Sequence, residues 1–223
     1  MKLVFLPLIL TILFVAAGQG LALTNEWNEF SGTKSSLSKL IADNFHGIDF
    51  KTFSYPYKFS FGKRVKVALK NGKYEYDFKI ERGWFDLSHV YSSDLTNDRR
   101  QEAIVMLWHV ACGVSCDGGS ALFYVYSFEN HKLKSLWQYE TGSLAYGCGL
   151  KSFAVKGTTI TVELFGRCSR NNQTSVTGKA QVKDVTRLTF KLSGARFVAR
   201  KREFFSSPER SVLNYEPQIS INE

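Results

Sequence analysis

The sequence predicts a mainly β protein, in which an antiparallel meander of about ten strands forms a curved sheet or a sandwich, preceded by one short N-terminal amphipathic helix. From Phe50 onward, apolar and polar residues alternate in segments rich in Val, Ile, Thr, Tyr and Phe, a pattern typical of half-buried strands. Asn71 and Gly72 separate two such segments, and both residues tolerate the positive φ of a tight hairpin turn. The run 103–108 is continuously apolar, which predicts a central strand covered on both faces.

The N-terminus has the features of an export signal. Lys2 supplies a positive start, residues 3–17 are almost wholly apolar, and Gly20-Leu21-Ala22 places small residues before a cleavage point after Ala22. The apolar run is shorter than the roughly 20 residues that a spanning helix needs. We therefore expect residues 1–22 to be a signal peptide, the mature chain to be secreted or periplasmic, and no transmembrane segment to remain after cleavage.

The mature chain is expected to form one domain. Residues 23–205 are predicted to be a single β-rich domain, and residues 206–223 a C-terminal tail laid across its surface. Apolar residues at helical spacing within 31–45 predict the amphipathic helix. Short connections between the later segments predict sequential antiparallel pairing. The predicted strands are 65–69, 74–78, 85–91, 103–111, 121–128, 133–139, 150–155, 159–165, 185–192 and 197–204.

The four cysteines predict two disulfides, as is usual in an oxidising compartment. Cys148 and Cys168 lie symmetrically about a predicted turn at residues 156–158, so we expect them to face each other across a hairpin. Cys112 is then left with Cys116. Four residues of extended chain span about 13 Å, whereas a disulfide requires Cα atoms within about 7 Å, so this segment must fold back as a loop. Paired C-x-x-C spacing is absent, which disfavours a zinc site.

The chain is basic, with a formal net charge of +9, and its densest cationic group comes near the end of the predicted domain. This group comprises Arg196, Arg200, Lys201 and Arg202. Two interpretations stay open. These side chains could bind the phosphate or sulfate of a polyanion, such as an anionic polysaccharide or envelope component. Alternatively, charge on an edge strand protects the sheet from pairing with other sheets.

An acidic loop precedes the predicted central strand. Asp94, Thr96, Asp98 and Glu102 place oxygen-bearing side chains at positions 1, 3, 5 and 9 of the loop, a pattern that suits calcium. The stretch resembles the D-x-x-G-D-G-x-x-D/E core of FG-GAP-type calcium loops. The loop is also similar to the D-L-T-G-D-G-x-E-E-A-x-V segment of a group of uncharacterised exported bacterial proteins. The similarity to this group extends beyond the loop and covers most of residues 49–204. This resemblance implies export and a single β-rich domain, and it supplies no catalytic residue.

The loop departs from both patterns at its two glycines, which are replaced by Asn97 and Arg99. An arginine in the left-handed region costs roughly 1 kcal/mol or more. Arg99 and Arg100 also bring positive charge to the position of the cation, where they can pair with the carboxylates. The substitutions therefore favour a second interpretation, an acidic turn neutralised by its own arginines, and calcium is the only cofactor that the sequence suggests.

No catalytic residue is predicted. The four histidines are scattered without metal-hydrolase spacing, and His109 in the central strand is interpreted as a hydrogen-bonded core residue. No nucleic-acid-binding motif is found. The sequence therefore favours a non-catalytic exported binding or interaction module for an extracellular or envelope macromolecule. Two alternatives remain: a structural envelope protein, or a secreted hydrolase whose site is assembled only in three dimensions. The first suspects for such a site are Asp94, Asp98, Glu102 and His89.

Overall fold

A computed structural model describes residues 47–112, 116, 119–130, 132–144, 147–169, 184–206 and 217–222. Within these ranges the chain is mainly β and contains no helix, so no helix there has the length and apolarity to cross a membrane. The predicted signal peptide and the predicted helix at 31–45 lie outside the described residues. The strands are β1 (Ser54–Lys58), β2 (Arg64–Ala68), β3 (Lys73–Phe78), β4 (Glu81–Ser93), β5 (Glu102–Cys112), β6 (Gly119–Glu129), β7 (Lys132–Glu140), β8 (Leu150–Lys156), β9 (Thr159–Phe165), β10 (Asp184–Ser193), β11 (Arg196–Ser206) and β12 (Gln218–Asn222).

These strands form three sheets. The first sheet has the order β3-β4-β5-β6-β7 and is antiparallel throughout; the second has the order β11-β10-β9-β8-β12; and β1 and β2 form a two-stranded ribbon. Except for β12, which runs parallel to β8, neighbours in the two five-stranded sheets are consecutive in the chain and antiparallel. One sheet is strongly curled. Of the strands, β1 and β12 lie outside the ten predicted ranges, and β12 is formed by part of the predicted C-terminal tail.

The turn at Asn71 and Gly72 has the predicted chemistry but a different role. Both residues have positive φ, 52° and 85°, and Lys70 and Lys73 exchange backbone hydrogen bonds of 2.7 and 3.1 Å around them. Beyond this pair the chains diverge, because β2 pairs with β1 and β3 with β4. The predicted hairpin pairing of the two flanking strands is therefore wrong. The turn is a corner at which the chain passes from the ribbon to the first sheet.

The central strand β5 is covered on both faces, as its continuous apolar run predicts. Ile104 and Met106 point toward the second sheet and share a core with it. Val105 and Leu107 point the opposite way, into the core beneath the ribbon. The strand's position in the middle of the first sheet and its burial together confirm the prediction.

Both predicted disulfides join the expected cysteines. Cys148 pairs with Cys168 at a Cα separation of 5.7 Å, immediately before β8 and just after β9, and so closes the β8–β9 hairpin. Cys112, the last residue of β5, pairs with Cys116 at 4.2 Å. Two disulfides in one chain are typical of an oxidising, extracellular or periplasmic environment.

Candidate functional site

Glu102, the first residue of β5, is the buried centre of the acidic loop. Its side chain accepts hydrogen bonds from the backbone N–H groups of Leu95 at 2.7 Å and Thr96 at 3.1 Å, and the residue is only 1% exposed. Burial raises the pKa of the carboxyl to about 7 even though these hydrogen bonds act in the opposite direction. Glu102 therefore holds the loop against the start of the central strand.

The other two loop carboxylates are also used within the loop. Asp94 accepts from the backbone N–H groups of Asp98 at 3.2 Å and Arg99 at 2.9 Å. Asp98 accepts from Nε of Arg100 at 2.9 Å, and this hydrogen bond lowers the pKa of its carboxyl. Asn97 and Arg99, at the glycine positions of the resemblance, have positive φ of 59° and 68°. Both positions therefore have the left-handed backbone that glycine adopts most readily.

The four predicted calcium ligands lie within one short segment of the chain. Most of them are hydrogen-bonded to the loop backbone or to Arg100. Among the residues that the structure describes, no three His, Cys, Asp or Glu side chains form a group that could hold a metal ion. Calcium binding at Asp94, Thr96, Asp98 and Glu102 stays a prediction.

A cleft with cationic walls lies between edge strands of the two large sheets. We call it the basic cleft; its volume is about 520 Å³, and it is lined by Tyr139 from β7, Leu188 and Phe190 from β10, and Ala199, Arg200, Lys201 and Arg202 from β11. Because β7 ends the first sheet and β11 ends the second, the cleft opens along one side of the packed sheets. Three of the four predicted polyanion-binding residues meet here, and Arg196 does not line the cleft.

A β-bulge interrupts β11 where it borders the basic cleft. The register of β11 against β10 shifts at this point, and Arg200 is the extra, unpaired residue. Such bulges redirect side chains at sheet edges. Beyond the bulge, Arg202 pairs with Leu188, which lines the cleft, whereas Lys201 pairs with Thr189, which does not. Because successive residues of a strand face opposite sides of the sheet, Arg202 and Lys201 lie on opposite faces, and the bulge adds Arg200 to the residues that border the cleft.

The three cations differ in how they are held. Arg202 donates from Nη1 to the backbone oxygen of Cys168 at 3.2 Å, which fixes its guanidinium beside the disulfide. Lys201 forms an ion pair of 2.8 Å with Glu203. Arg200 is exposed, and no ion pair ties it to another described residue. The cleft therefore combines one anchored, one partly neutralised and one adaptable cation.

A second cleft of about 360 Å³ lies where β1 crosses the first sheet, and we call it the His109 cleft. Its polar lining includes Tyr57, Glu81, His109, Ser120 and Glu140. His109 is 6% exposed, and its ring stacks on that of Phe85 with centroids 4.1 Å apart. The prediction that His109 is a hydrogen-bonded core residue is confirmed, but the histidine also contributes to a concave polar surface.

One oxygen of Glu140 collects three contacts in this cleft. Oε1 accepts from the hydroxyls of Tyr57 and Ser120, each at 3.0 Å, and lies 3.2 Å from Nδ1 of His109. Burial, together with the charge of Glu140, raises the pKa of Tyr57 well above its ordinary value. The phenol therefore keeps its proton and donates it to the carboxylate. These contacts fix the orientation of Glu140.

On the opposite side of the ring, Tyr76 joins His109 to a second carboxylate. Its hydroxyl donates to Oε1 of Glu81 at 2.8 Å and lies 2.9 Å from Nε2 of His109. When the phenol proton is directed to Glu81, the Tyr76 oxygen accepts from Nε2–H in the His109 tautomer that carries a proton there. Gly83 makes this contact sterically feasible, since a Cβ there would meet the Tyr76 hydroxyl.

The four residues named as first suspects for a hydrolase lie in β4 and in the acidic loop that leads into β5. Asp94, Asp98 and Glu102 remain in the acidic loop, while the His89 ring stacks on that of Tyr91. None of the four lines the basic cleft or the His109 cleft. Glu81, Ser120 and Glu140 were not singled out from the sequence, because no short motif connects strands β4, β6 and β7.

Comparison of this chain with protein-family models, with curated proteins and with solved structures finds no match. The geometry of the two clefts is therefore the evidence that bears on function.

Proposed function

We propose that the chain is a non-catalytic exported module that binds an anionic extracellular or envelope macromolecule through the basic cleft. The observation that carries this proposal is the cleft between the two large sheets, which Arg200, Lys201 and Arg202 border and to which the bulge adds Arg200. The leader-like N-terminus and the two disulfides support export.

Protection of the edge strand is the competing explanation for the same charges. Cations protect an edge wherever they are exposed along it, and a cleft is not needed for that purpose. Clefts lined by charge of one sign do, by contrast, raise the local concentration of oppositely charged ligands. The geometry thus favours ligand binding over edge protection.

Binding of the exported chain to heparin, measured calorimetrically at low ionic strength, tests the proposal. In the double variant Arg200→Gln/Lys201→Gln we expect roughly a ten-fold weaker affinity, because two ion pairs of about 0.5–1 kcal/mol each are lost. Arg64→Gln/Lys66→Gln is a matched control, since it removes the same residue types from exposed positions of the β1–β2 ribbon. An equal loss in both variants would assign binding to net charge rather than to the cleft, and absence of heparin binding would refute the proposal.

The His109 cleft supports a second candidate function, a secreted hydrolase in which Glu140 is the general base. The supporting observation is the oriented carboxylate beside His109 and the Ser120 hydroxyl. Incubation with the polymer that binds the basic cleft, followed by an assay of newly formed chain ends, tests this candidate. Cleavage that disappears in Glu140→Gln would support it. If the polymer stays intact, the hydrogen bonds around Glu140 and His109 serve the fold alone.

A further inference from the structure

We infer that the ligand of the basic cleft is an acidic carbohydrate, whose sugar ring packs against Tyr139 while its carboxylate or sulfate groups bind Arg200 and Arg202. This inference rests on the proposed function and narrows it from polyanions in general to those that carry pyranose rings.

The ring of Tyr139 is held in place by two buried neighbours. It lies parallel to the ring of Trp137, with centroids 5.5 Å apart and an interplanar angle of 3°. It also meets Phe190 in an edge arrangement at 5.2 Å. Trp137 and Phe190 belong to the core at 7% and 5% exposure, whereas Tyr139 is only partly buried and lines the cleft. The cleft therefore contains a preoriented aromatic surface.

Aromatic and cationic groups at one cleft match the two surfaces of an acidic sugar. The face of a pyranose ring is formed by C–H bonds, which pack on the electron-rich face of an aromatic ring. A uronate or sulfated sugar adds an anion at the ring's periphery, and the planar guanidinium of arginine can bind such a group in a bidentate manner. Arg202 is fixed for this contact by its bond to the Cys168 carbonyl. A volume of about 520 Å³ lies within the range of pockets that hold small ligands.

Other polyanions use only part of this surface. Polyphosphate and acidic peptides offer charge to Arg200 and Arg202 but no ring to Tyr139. Single-stranded nucleic acid offers both, yet proteins that bind it present successive aromatic platforms along a groove. Here Tyr139 is the partly exposed ring among the described cleft residues, while Phe190 is buried. The geometry therefore favours a sugar over a peptide, a phosphate polymer or a nucleic acid.

The test compares three ligands with similar charge: an octamer of galacturonate, an octamer of glutamate and an octamer of thymidylate. Affinities for the exported chain are measured at one ionic strength. We expect galacturonate to bind most tightly, and Tyr139→Leu to weaken its binding about five-fold, as for one lost ring-stacking contact. The same substitution should leave glutamate binding unchanged. Tyr74→Leu, a partly buried tyrosine of the ribbon-side core, is the control and should alter neither.

The possible failures are distinct. Equal binding of galacturonate and glutamate, or no effect of Tyr139→Leu, overturns the carbohydrate inference and leaves polyanion binding intact. Tightest binding of thymidylate also overturns it, in favour of nucleic acid. Binding of none of the three octamers overturns the proposed function together with the inference. A melting curve for each variant establishes that the fold is retained.

Discussion

At the scale of single residues, Glu102 shows how position changes the chemistry of a side chain. The sequence pattern predicts Glu102 as a calcium ligand, and in the fold its carboxyl is buried and accepts hydrogen bonds from the Leu95 and Thr96 backbone. The sequence predicts the acidic residues and the arginine contact, because Asp98 and Arg100 are close in the chain. It does not predict the burial of Glu102, which depends on the layers that cover β5.

Substitution of Glu102 by Gln should change the pH dependence of stability. The folded-state pKa of about 7 is above the ordinary value of 4.5, so the protonated carboxyl stabilises the fold below pH 4.5, and this contribution is lost as the pH rises toward 7. The loss is at most about 3 kcal/mol. Urea unfolding at pH 5 and pH 7.5 should therefore show a larger decrease for the parent chain than for Glu102→Gln. Glu75→Gln, at an exposed position of β3, should behave as the parent. The same decrease in all three chains would contradict the assignment.

A second residue-scale prediction concerns Gly83, where β4 passes between Tyr76 of β3 and Ala111 of β5. A Cβ at this position would clash with the Val110 carbonyl oxygen and the Tyr76 hydroxyl. We expect Gly83→Ala to reduce the free energy of unfolding by about 1–3 kcal/mol, as overpacking does. Chemical denaturation measures this loss. Unchanged stability would show that Tyr76 does not occupy the space above Gly83.

At the scale of elements, periodicity predicts most strands but few of their partners. Residues 103–108 are recognisable because both faces of β5 are buried, whereas β1 contains Pro56, a residue that argues against a strand. The Asn71-Gly72 turn can be recognised from its own two residues. Whether the strands on either side of it pair with each other depends on how distant parts of the chain bury them. Val67 pairs with Tyr55 in the ribbon instead of continuing the hairpin. Likewise, no local signal indicates that β12 joins β8 in parallel.

Of the two disulfides, the one that closes the longer loop should contribute more to stability. Cys148 and Cys168 are separated by 20 residues and Cys112 and Cys116 by 4. The chain-entropy relation gives about 3 kcal/mol for the longer loop and about 2 kcal/mol for the shorter one. Guanidinium unfolding of the two double Cys→Ala variants should reproduce this order. A greater loss for the short loop would mean that the disulfide closing the β8–β9 hairpin is not the main covalent constraint.

At the scale of the whole molecule, sites form where separate sheets meet. The cationic residues of the basic cleft were predicted from one short stretch, but their aromatic neighbour Tyr139 comes from β7 in the other large sheet. The bulge at Arg200 depends on pairing with β10 and is invisible in the sequence. The His109 cleft was missed for the same reason, since Tyr57 and Glu140, which share a hydrogen bond, are 83 residues apart.

The salt dependence of polyanion binding tests the basic cleft most directly. The logarithm of the heparin association constant should fall linearly with the logarithm of salt concentration, because each contacting cation releases about one counterion. For Arg200→Gln/Lys201→Gln we predict a slope smaller in magnitude by about two, and for the ribbon control Arg64→Gln/Lys66→Gln an unchanged slope. A slope that falls equally in both variants, or in neither, would contradict the assignment of binding to the basic cleft.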